Sequence, residues 1–312
     1  PKEEVVNFIK LHQLYFENGA FSFFELTVAM ALDYFKREQV DFALIEVGLG
    51  GRLDATNIIS PIVSVITNIG LDHTEFLGTT RSKIAREKGG IIKKAVPVVI
   101  GEKDSETAPV FEQIAHELSA PLFYSKQKIH DWSSDLRGFY QEQNIRTALT
   151  AIDCIKAPKV KDYTIRKGLK NIIKTTNLKG RWQQVNERPT VILDVGHNLE
   201  GIQWIVAQLK QMSYNQLHLV MGFVKGKKIK DLLAVFPEFA RFYLSSPKLD
   251  RALEVAQLKE ELRATPYHLN YYPTIKAAFF EAKSMANQED LIVVCGSTFV
   301  VAEGLAVLED KI

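Results

Sequence analysis

Cysteine is scarce: Cys154 and Cys295 are the only two in 312 residues, far apart and in no metal-ligand spacing. That argues against a disulfide framework and a cysteine-rich zinc site, and it suits a reducing compartment, the cytoplasm. Neither thiol sits in a nucleophile motif, so both read as core residues. Charge of one sign is scarce too. Thirty-nine Lys and Arg face 37 Asp and Glu, a formal net charge of +2, which argues against a dedicated nucleic-acid binder. No apolar run approaches the roughly 20 residues of a membrane span. No signal peptide, internal repeat or low-complexity tract is visible. An initiator Met is missing as well. The chain opens on "PKEEVVNFIKLHQLYF", which reads as the polar side of a helix, so a fragment of a longer protein is expected.

What is present is an ordinary globular composition, 46% hydrophobic and 24% charged, on a chain long enough for two domains. One local run is basic: Lys156, Lys159, Lys161, Arg166, Lys167, Lys170, Lys174, Lys179 and Arg181, opposed only by Asp162. It reads either as a solvated helix face or as a wall that attracts an anionic substrate.

Short β-branched runs alternate with longer amphipathic stretches. Strands are expected at Phe42–Val47, Ile62–Thr67, Pro97–Ile100, Val191–Leu193, Leu217–Met221, Phe242–Leu244 and Leu291–Cys295. Helices are expected at Phe23–Arg37, Arg81–Lys88, Ala108–Leu118, Asn144–Cys154, Gly201–Gln211 and Leu253–Leu262. Apolar strands separated by helices indicate an α/β protein with mostly parallel sheets covered on both faces. The polar, proline-containing "VNERP" stretch places a domain boundary between 1–187 and 188–312.

Ligands in such sheets bind beyond the carboxyl ends of the strands. Five expected strands end in polar or glycine-rich sequence: Glu46 with "GLGGRLDATN", "TNIGLDHTEFLG", "DVGHN", "GFVKGKK" and "GSTFV". Each alone is compatible with turn chemistry; five together suggest a ligand-binding rim. Glu46 and His73 are a candidate metal pair, a carboxylate and an imidazole that suit Mg²⁺ or Mn²⁺ when phosphate and water complete the shell. "GLGGR" is not a phosphate loop, because it lacks the G-x-x-x-x-G-K-[ST] pattern. "TTRSKIAREKGGIIK" reads as a helix capped by Thr79 or Thr80 and stopped at Gly89-Gly90, with Lys88 complementing the helix dipole in its last turn. Ser22 and Glu25 form a capping-box pattern. Phe23 and Phe24 read first as core packing, with ligand contact as the alternative.

In order and at suitable spacing, "FFELTVAMALDYF", "DFALIEVGLGGRLDATNII", "SVITNIGLDHTEFLGTT", "IAREKGGIIK", "GFYQEQNIRTAL", "KGRWQQV", "VILDVGHN" and "GSTFVVAE" closely resemble folylpolyglutamate synthase/dihydrofolate synthase, a family of the Mur ligase superfamily. The resemblance covers nearly the whole chain. It implies a central ATPase domain followed by a smaller Rossmann-like C-terminal α/β domain. It also implies ATP-dependent ligation of L-glutamate to folate, to dihydropteroate or to both, through an acyl phosphate.

By position, Glu46 and His73 match Mg²⁺-binding residues, and Lys88 matches a carbamylated lysine; His73 and Lys88 are thereby the catalytic candidates. Ser22, Phe23, Phe24, Glu25, Leu53, Asp54 and Ala55 match contacts to the pterin-bearing substrate. Asn144, Arg181 and Asp194 match ATP contacts. The implied cofactor is Mg²⁺, with a monovalent cation such as K⁺ as a further candidate. The implied partners are ATP, L-glutamate and a folate or dihydropteroate, with no nucleic acid, no membrane and a monomeric chain.

Two features depart from the family pattern. The family's first strand and P-loop, of the form GTNGKGS, are absent, so the chain as given is expected to have little ligase activity. In "GFVKGKK", Gly226 and Lys228 replace aspartates that flank Lys227 in the family. Another Mur-type amide ligase, for example one with a peptide acceptor, and a non-catalytic folate- or nucleotide-binding protein are the alternatives.

Overall fold

The computed structural model describes residues 1–126, 132–155 and 160–309; Lys156 and Lys159 of the basic run lie outside them. The described residues form two compact units, one of 1–126 with 143–155 and one of 132–142 with 160–309.

In chain order the elements up to the second unit's main body are α1 (Lys2–Leu11), α2 (Gln13–Asn18), α3 (Phe23–Glu38), β1 (Ser64–Ile66), α4 (Thr74–Leu77), α5 (Arg81–Gly89), β2 (Val98–Ile100), α6 (Ala108–Glu117), β3 (Leu122–Tyr124) and α7 (Tyr140–Cys154). The first unit's sheet is parallel, in the order β1-β2-β3. Its central strand, Val98-Val99-Ile100, is at most 1% exposed. Ile84 of α5 and Phe111 of α6 are fully buried in the same core as Val98 and Ile100. This is the apolar-throughout signature of a parallel strand covered on both faces.

Phe42–Val47, expected as a strand, is not one. It is irregular, with Phe42 52% and Leu44 99% exposed. A run becomes a strand only when a neighbour supplies ladder hydrogen bonds, and no described strand pairs with it. The apolar pattern alone cannot show whether that neighbour exists. A further correction concerns Cys154, which is only partly buried, whereas Cys295 is fully buried as expected; both are free thiols.

The second unit continues with α8 (Asp162–Leu169), α9 (Ile172–Thr176), β4 (Gln183–Glu187), β5 (Thr190–Leu193), α10 (Leu199–Leu209), β6 (Leu217–Met221), α11 (Ile229–Leu233), β7 (Arg241–Leu244), α12 (Val255–Glu261), β8 (His268–Tyr271), α13 (Ile275–Met285), β9 (Leu291–Cys295) and α14 (Thr298–Glu309). Its sheet runs β4-β5-β9-β6-β7-β8, parallel except for the β4–β5 pair. Position 187/188 falls in the connection between these two antiparallel strands.

Side chains alternate across the pleat. Ile192, Leu219 and Val293 face the α10, α11 and α12 layer. Leu193, Val220 and Val294 face α13 and α14. β9 is inserted between β5 and β6, so the chain reverses its direction of strand addition there. That is where a doubly wound sheet offers a crevice at its carboxyl edge.

Candidate functional site

In the first unit, α3 begins at a capping box. Ser22 Oγ accepts from Glu25 N–H at 3.2 Å, and Glu25 Oε2 accepts from Ser22 N–H at 2.7 Å. The Ser22 N–H and the Ser22 hydroxyl, both donating to Glu25 Oε2, hold the Glu25 carboxyl below its ordinary range. The cap fixes the first turn, and that turn displays two aromatic rings. Phe23 is 87% and Phe24 41% exposed, so neither is a core residue as first read. Phe24 lies against the backbone of Gly48: a Cβ there would approach its ring to 2.4 Å. The structure thus brings the Ser22–Glu25 segment together with the loop that carries Leu53, Asp54 and Ala55.

That loop is pinned internally. Asp54 accepts from the N–H groups of Leu49 and Thr56 and from the Thr56 hydroxyl, and it caps the 3₁₀ turn Ala55–Ile58. Burial works to raise the Asp54 carboxyl, but these hydrogen bonds outweigh it and hold it below its ordinary range. Its side chain is therefore committed to loop shape, while Leu53 beside it is 80% exposed.

The loop is also latched to α5. Arg52 N–H donates to the Glu87 carbonyl at 2.8 Å, and the Arg52 guanidinium donates to the Glu87 carboxylate at 3.0–3.2 Å. Asn57 Nδ2 donates to the carbonyls of Arg52 and Gly90. α5 starts at Thr80, whose hydroxyl accepts from Lys83 N–H, and it ends at Gly89 as the sequence suggests.

Lys88 occupies the last turn, partly buried. Desolvation pushes its ammonium below the ordinary lysine range, and the Asp72 carboxylate partly opposes that. A half-dehydrated amine beside one carboxylate differs from the solvated, dipole-complementing lysine that the sequence suggested first. Asp72 is the neighbour of His73, and it received no role from the sequence.

His73 is exposed and left-handed, φ 51°, at the N-cap of α4, with its N–H donating to Asp72 Oδ1 at 2.9 Å. Glu46 is exposed on the irregular 41–47 segment rather than at a strand end. Among the described residues no group of three His, Cys, Asp or Glu could hold a metal ion. Glu46 and His73 therefore do not belong to a closed protein cage. One carboxylate and one imidazole fit a divalent ion whose other ligands are phosphate oxygens and water.

In the second unit, Arg181 and Asp194 come together at the end of β5. Asp194 is 3% exposed. Its Oδ2 accepts from the Tyr140 hydroxyl and from Trp182 N–H, each at 2.8 Å, and its Oδ1 accepts from Gly196 N–H at 2.9 Å. Burial raises this carboxyl, while those donors and the nearby Arg181 charge pull it back. Tyr140 is raised, first by burial and then by Asp194. Trp182 is buried yet left-handed, φ 47°. Such a conformation costs a bulky residue about 1–3 kcal/mol and persists where surroundings over-determine it. Asn144 lies on α7 in the first unit, exposed.

With this geometry in place, comparison with known proteins identifies the class. Residues 7–173 match the Mur ligase middle domain and residues 180–298 the Mur ligase glutamate ligase domain. The chain is a two-domain α/β protein of the Mur ligase superfamily. A dihydrofolate synthase/folylpolyglutamate synthase of Buchnera aphidicola (subspecies Schizaphis graminum) is 32% identical over 306 residues, 95% of this chain and 73% of the relative. Escherichia coli FolC in complex with DHPP and ADP superposes with a TM-score of 0.83 at 31% identity, over 93% of this chain and 72% of that one. A bifunctional folylpolyglutamate synthase/dihydrofolate synthase with Mn, AMPPNP and L-glutamate bound superposes with a TM-score of 0.79 at 32% identity, over 93% and 72%. The chain belongs to the dihydrofolate synthase/folylpolyglutamate synthase family.

Proposed function

We propose that the protein ligates L-glutamate to folate, to dihydropteroate or to both, at the expense of ATP. The carrying observation is the ordered match of a Mur ligase middle domain and a glutamate ligase domain on one chain. The relatives' bound ADP, AMPPNP, L-glutamate and DHPP supply the substrate classes.

In this reaction a substrate carboxylate oxygen attacks the γ-phosphorus of ATP and ADP leaves. The glutamate amine then attacks the acyl carbon, phosphate leaves, and the amine gives up a proton. Such transfers depend on positioning and on neutralising crowded oxygens. Phe23, Phe24 and Leu53 offer exposed apolar surface on which a pterin ring can stack. Ser22, Glu25, Asp54 and Ala55 shape that surface through the cap and the pinned loop. Arg181 meets phosphate charge, and Asp194 and Asn144 orient the nucleotide.

Glu46 and His73 would hold the divalent ion, proposed as Mg²⁺, with K⁺ as an accompanying cation. When bound, the ion neutralises phosphate oxygens. Lys88 is proposed to be carbamylated. Its lowered basicity leaves more neutral amine, the form that adds CO₂, and the product is a carboxylate able to orient metal-bound water. The working unit is proposed to be a single cytoplasmic chain whose functional domains are 1–187 and 188–312.

Isotope transfer tests the route. With ¹⁸O in the acceptor carboxylate, one ¹⁸O should appear in the released phosphate. Label-free phosphate at full turnover would overturn the acyl-phosphate step.

A further inference from the structure

Arg181 is exposed, but the residues on either side of it are not. Gly180 is buried with φ 70°, its carbonyl accepting from Val195 N–H at 2.9 Å and its own N–H donating to Gln183 Oε1 at 2.8 Å. A Cβ at Gly180 would meet the methyl groups of Val301 and Val195 at 2.8–2.9 Å, so only glycine fits this approach. On the other side, Trp182 is buried and left-handed, with its N–H on Asp194 Oδ2. Arg181 is therefore the crest of a tight loop whose two feet are tied to the end of β5. The same Asp194 oxygen that ties the Trp182 foot accepts the Tyr140 hydroxyl. Asp194 Oδ1, engaged by Gly196 N–H, retains acceptor capacity for another donor.

We propose that Tyr140 is a positioning residue for the nucleotide: through Asp194 and the strained Trp182 it holds Arg181 in the outward orientation that phosphate contact requires. The proposal rests on the nucleotide role given to Arg181 above. Removing the Tyr140 hydroxyl takes one of two donors from a buried carboxylate oxygen. The carboxylate is then free to swing from Trp182 N–H, the left-handed foot loses its tie, and Arg181 samples orientations that miss the phosphates. Tyr140 itself needs no contact with any substrate.

A double-mutant cycle separates this from a merely structural role. Titrations of AMPPNP and ADP would be made on the protein expressed from its complete reading frame, with Tyr140→Phe, Arg181→Gln and the double variant. Thermal unfolding of each provides the folding control, and hydrogen exchange of the Trp182 amide reports the tie directly. The expected result is an affinity about tenfold weaker in Tyr140→Phe, as for one charge-assisted hydrogen bond lost, with a clearly smaller further loss when Arg181 is already Gln, the remainder passing through Asp194's own contact with the nucleotide. The Trp182 amide should exchange faster, and KM should rise for ATP but not for the pteroyl substrate.

Equal losses from Tyr140→Phe in both backgrounds, or an unchanged Trp182 amide, would overturn the clamp while leaving Arg181 a nucleotide contact. Undiminished affinity in Arg181→Gln alone would overturn the nucleotide reading itself, and the proposal with it. If Tyr140→Phe unfolds, 3-fluorotyrosine at position 140, which keeps the ring and makes the hydroxyl a stronger donor, replaces it: slower exchange of the Trp182 amide and tighter AMPPNP binding only while Arg181 is present are expected, and no change in either would overturn the clamp.

Discussion

The ring of Phe24 rests directly on the backbone of Gly48, so closely that a single methyl group at position 48 would stand 2.4 Å from it. The contact joins the capped start of α3 to the loop that runs on to Asp54. It turns two sequence-distant stretches into one exposed, apolar surface. Gly48→Ala is expected to push Phe24 aside at an overpacking cost of about 1–3 kcal/mol. KM for the pteroyl substrate should rise about tenfold or more, with the ATP KM little changed. Steady-state kinetics with each substrate varied in turn checks this; a rise in both KM values alike would contradict it.

The cap beneath those rings is separable from them. Ser22→Ala removes the acceptor for Glu25 N–H and should cost about 1 kcal/mol of local stability. Faster amide exchange over residues 24–26, with the rest of α3 unchanged, is the expected sign. Ser22→Thr retains both the accepting oxygen and the hydroxyl donor to Glu25 and should restore protection.

Lys88 gives a test that depends on carbon dioxide. Its amine is desolvated and lowered in basicity, so more of it is neutral near pH 7 than for an exposed lysine. Carbamylation forms one N–C bond and releases one proton. Protein depleted of CO₂ should lose activity and regain it with bicarbonate. Lys88→Arg, which keeps the cation, should lower kcat about a hundredfold or more. Activity indifferent to bicarbonate would contradict the modification.

His218 predicts an acid-sensitive second unit. It is fully buried on β6, with Nδ1 2.9 Å from the Tyr243 hydroxyl and Nε2 3.5 Å from Asp290 Oδ2. Burial holds the imidazole below 6.5; Asp290 opposes this and Arg241 adds to it. Below about pH 6.5 the unfolded chain therefore binds a proton that the folded chain refuses, and stability falls as pH drops. His218→Gln should flatten the loss of thermal stability between about pH 7 and pH 5.5. An identical slope in both proteins would contradict this.

Much of this architecture is legible in local sequence. Val98–Ile100 and Leu291–Cys295 read as strands because both faces are buried and every residue is apolar. The Ser22-x-x-Glu25 cap reads directly, and the α5 cap reads as Thr79 or Thr80 with Thr80 the one observed, since capping is chemistry within four residues. Phe42–Val47 misled because pairing depends on a neighbour that local composition does not encode. β4, β8 and the packing of Phe24 were hidden for related reasons. Gln183–Glu187 is polar, and ring orientation depends on a glycine 24 positions away.

At the site, the family resemblance pointed to Lys88 and Asp194. It gave no sign of Asp72 beside Lys88 or of Tyr140 behind Asp194. Tyr140 lies inside the motif "GFYQEQN", but a phenol gives no local signal of the carboxylate it meets 54 residues on. The left-handed Trp182 is equally silent, because tryptophan is among the last residues expected there.

An acceptor panel tests the central claim most directly. The protein expressed from its complete reading frame would be given ATP, Mg²⁺ and L-glutamate with dihydropteroate, a reduced folate or a UDP-linked muropeptide in turn. ADP release and product mass would be read together. The account predicts one ADP per glutamate joined to a pteroyl acceptor and none with the muropeptide. Turnover with the muropeptide alone, or binding of pteroate with no ADP formed, would contradict it.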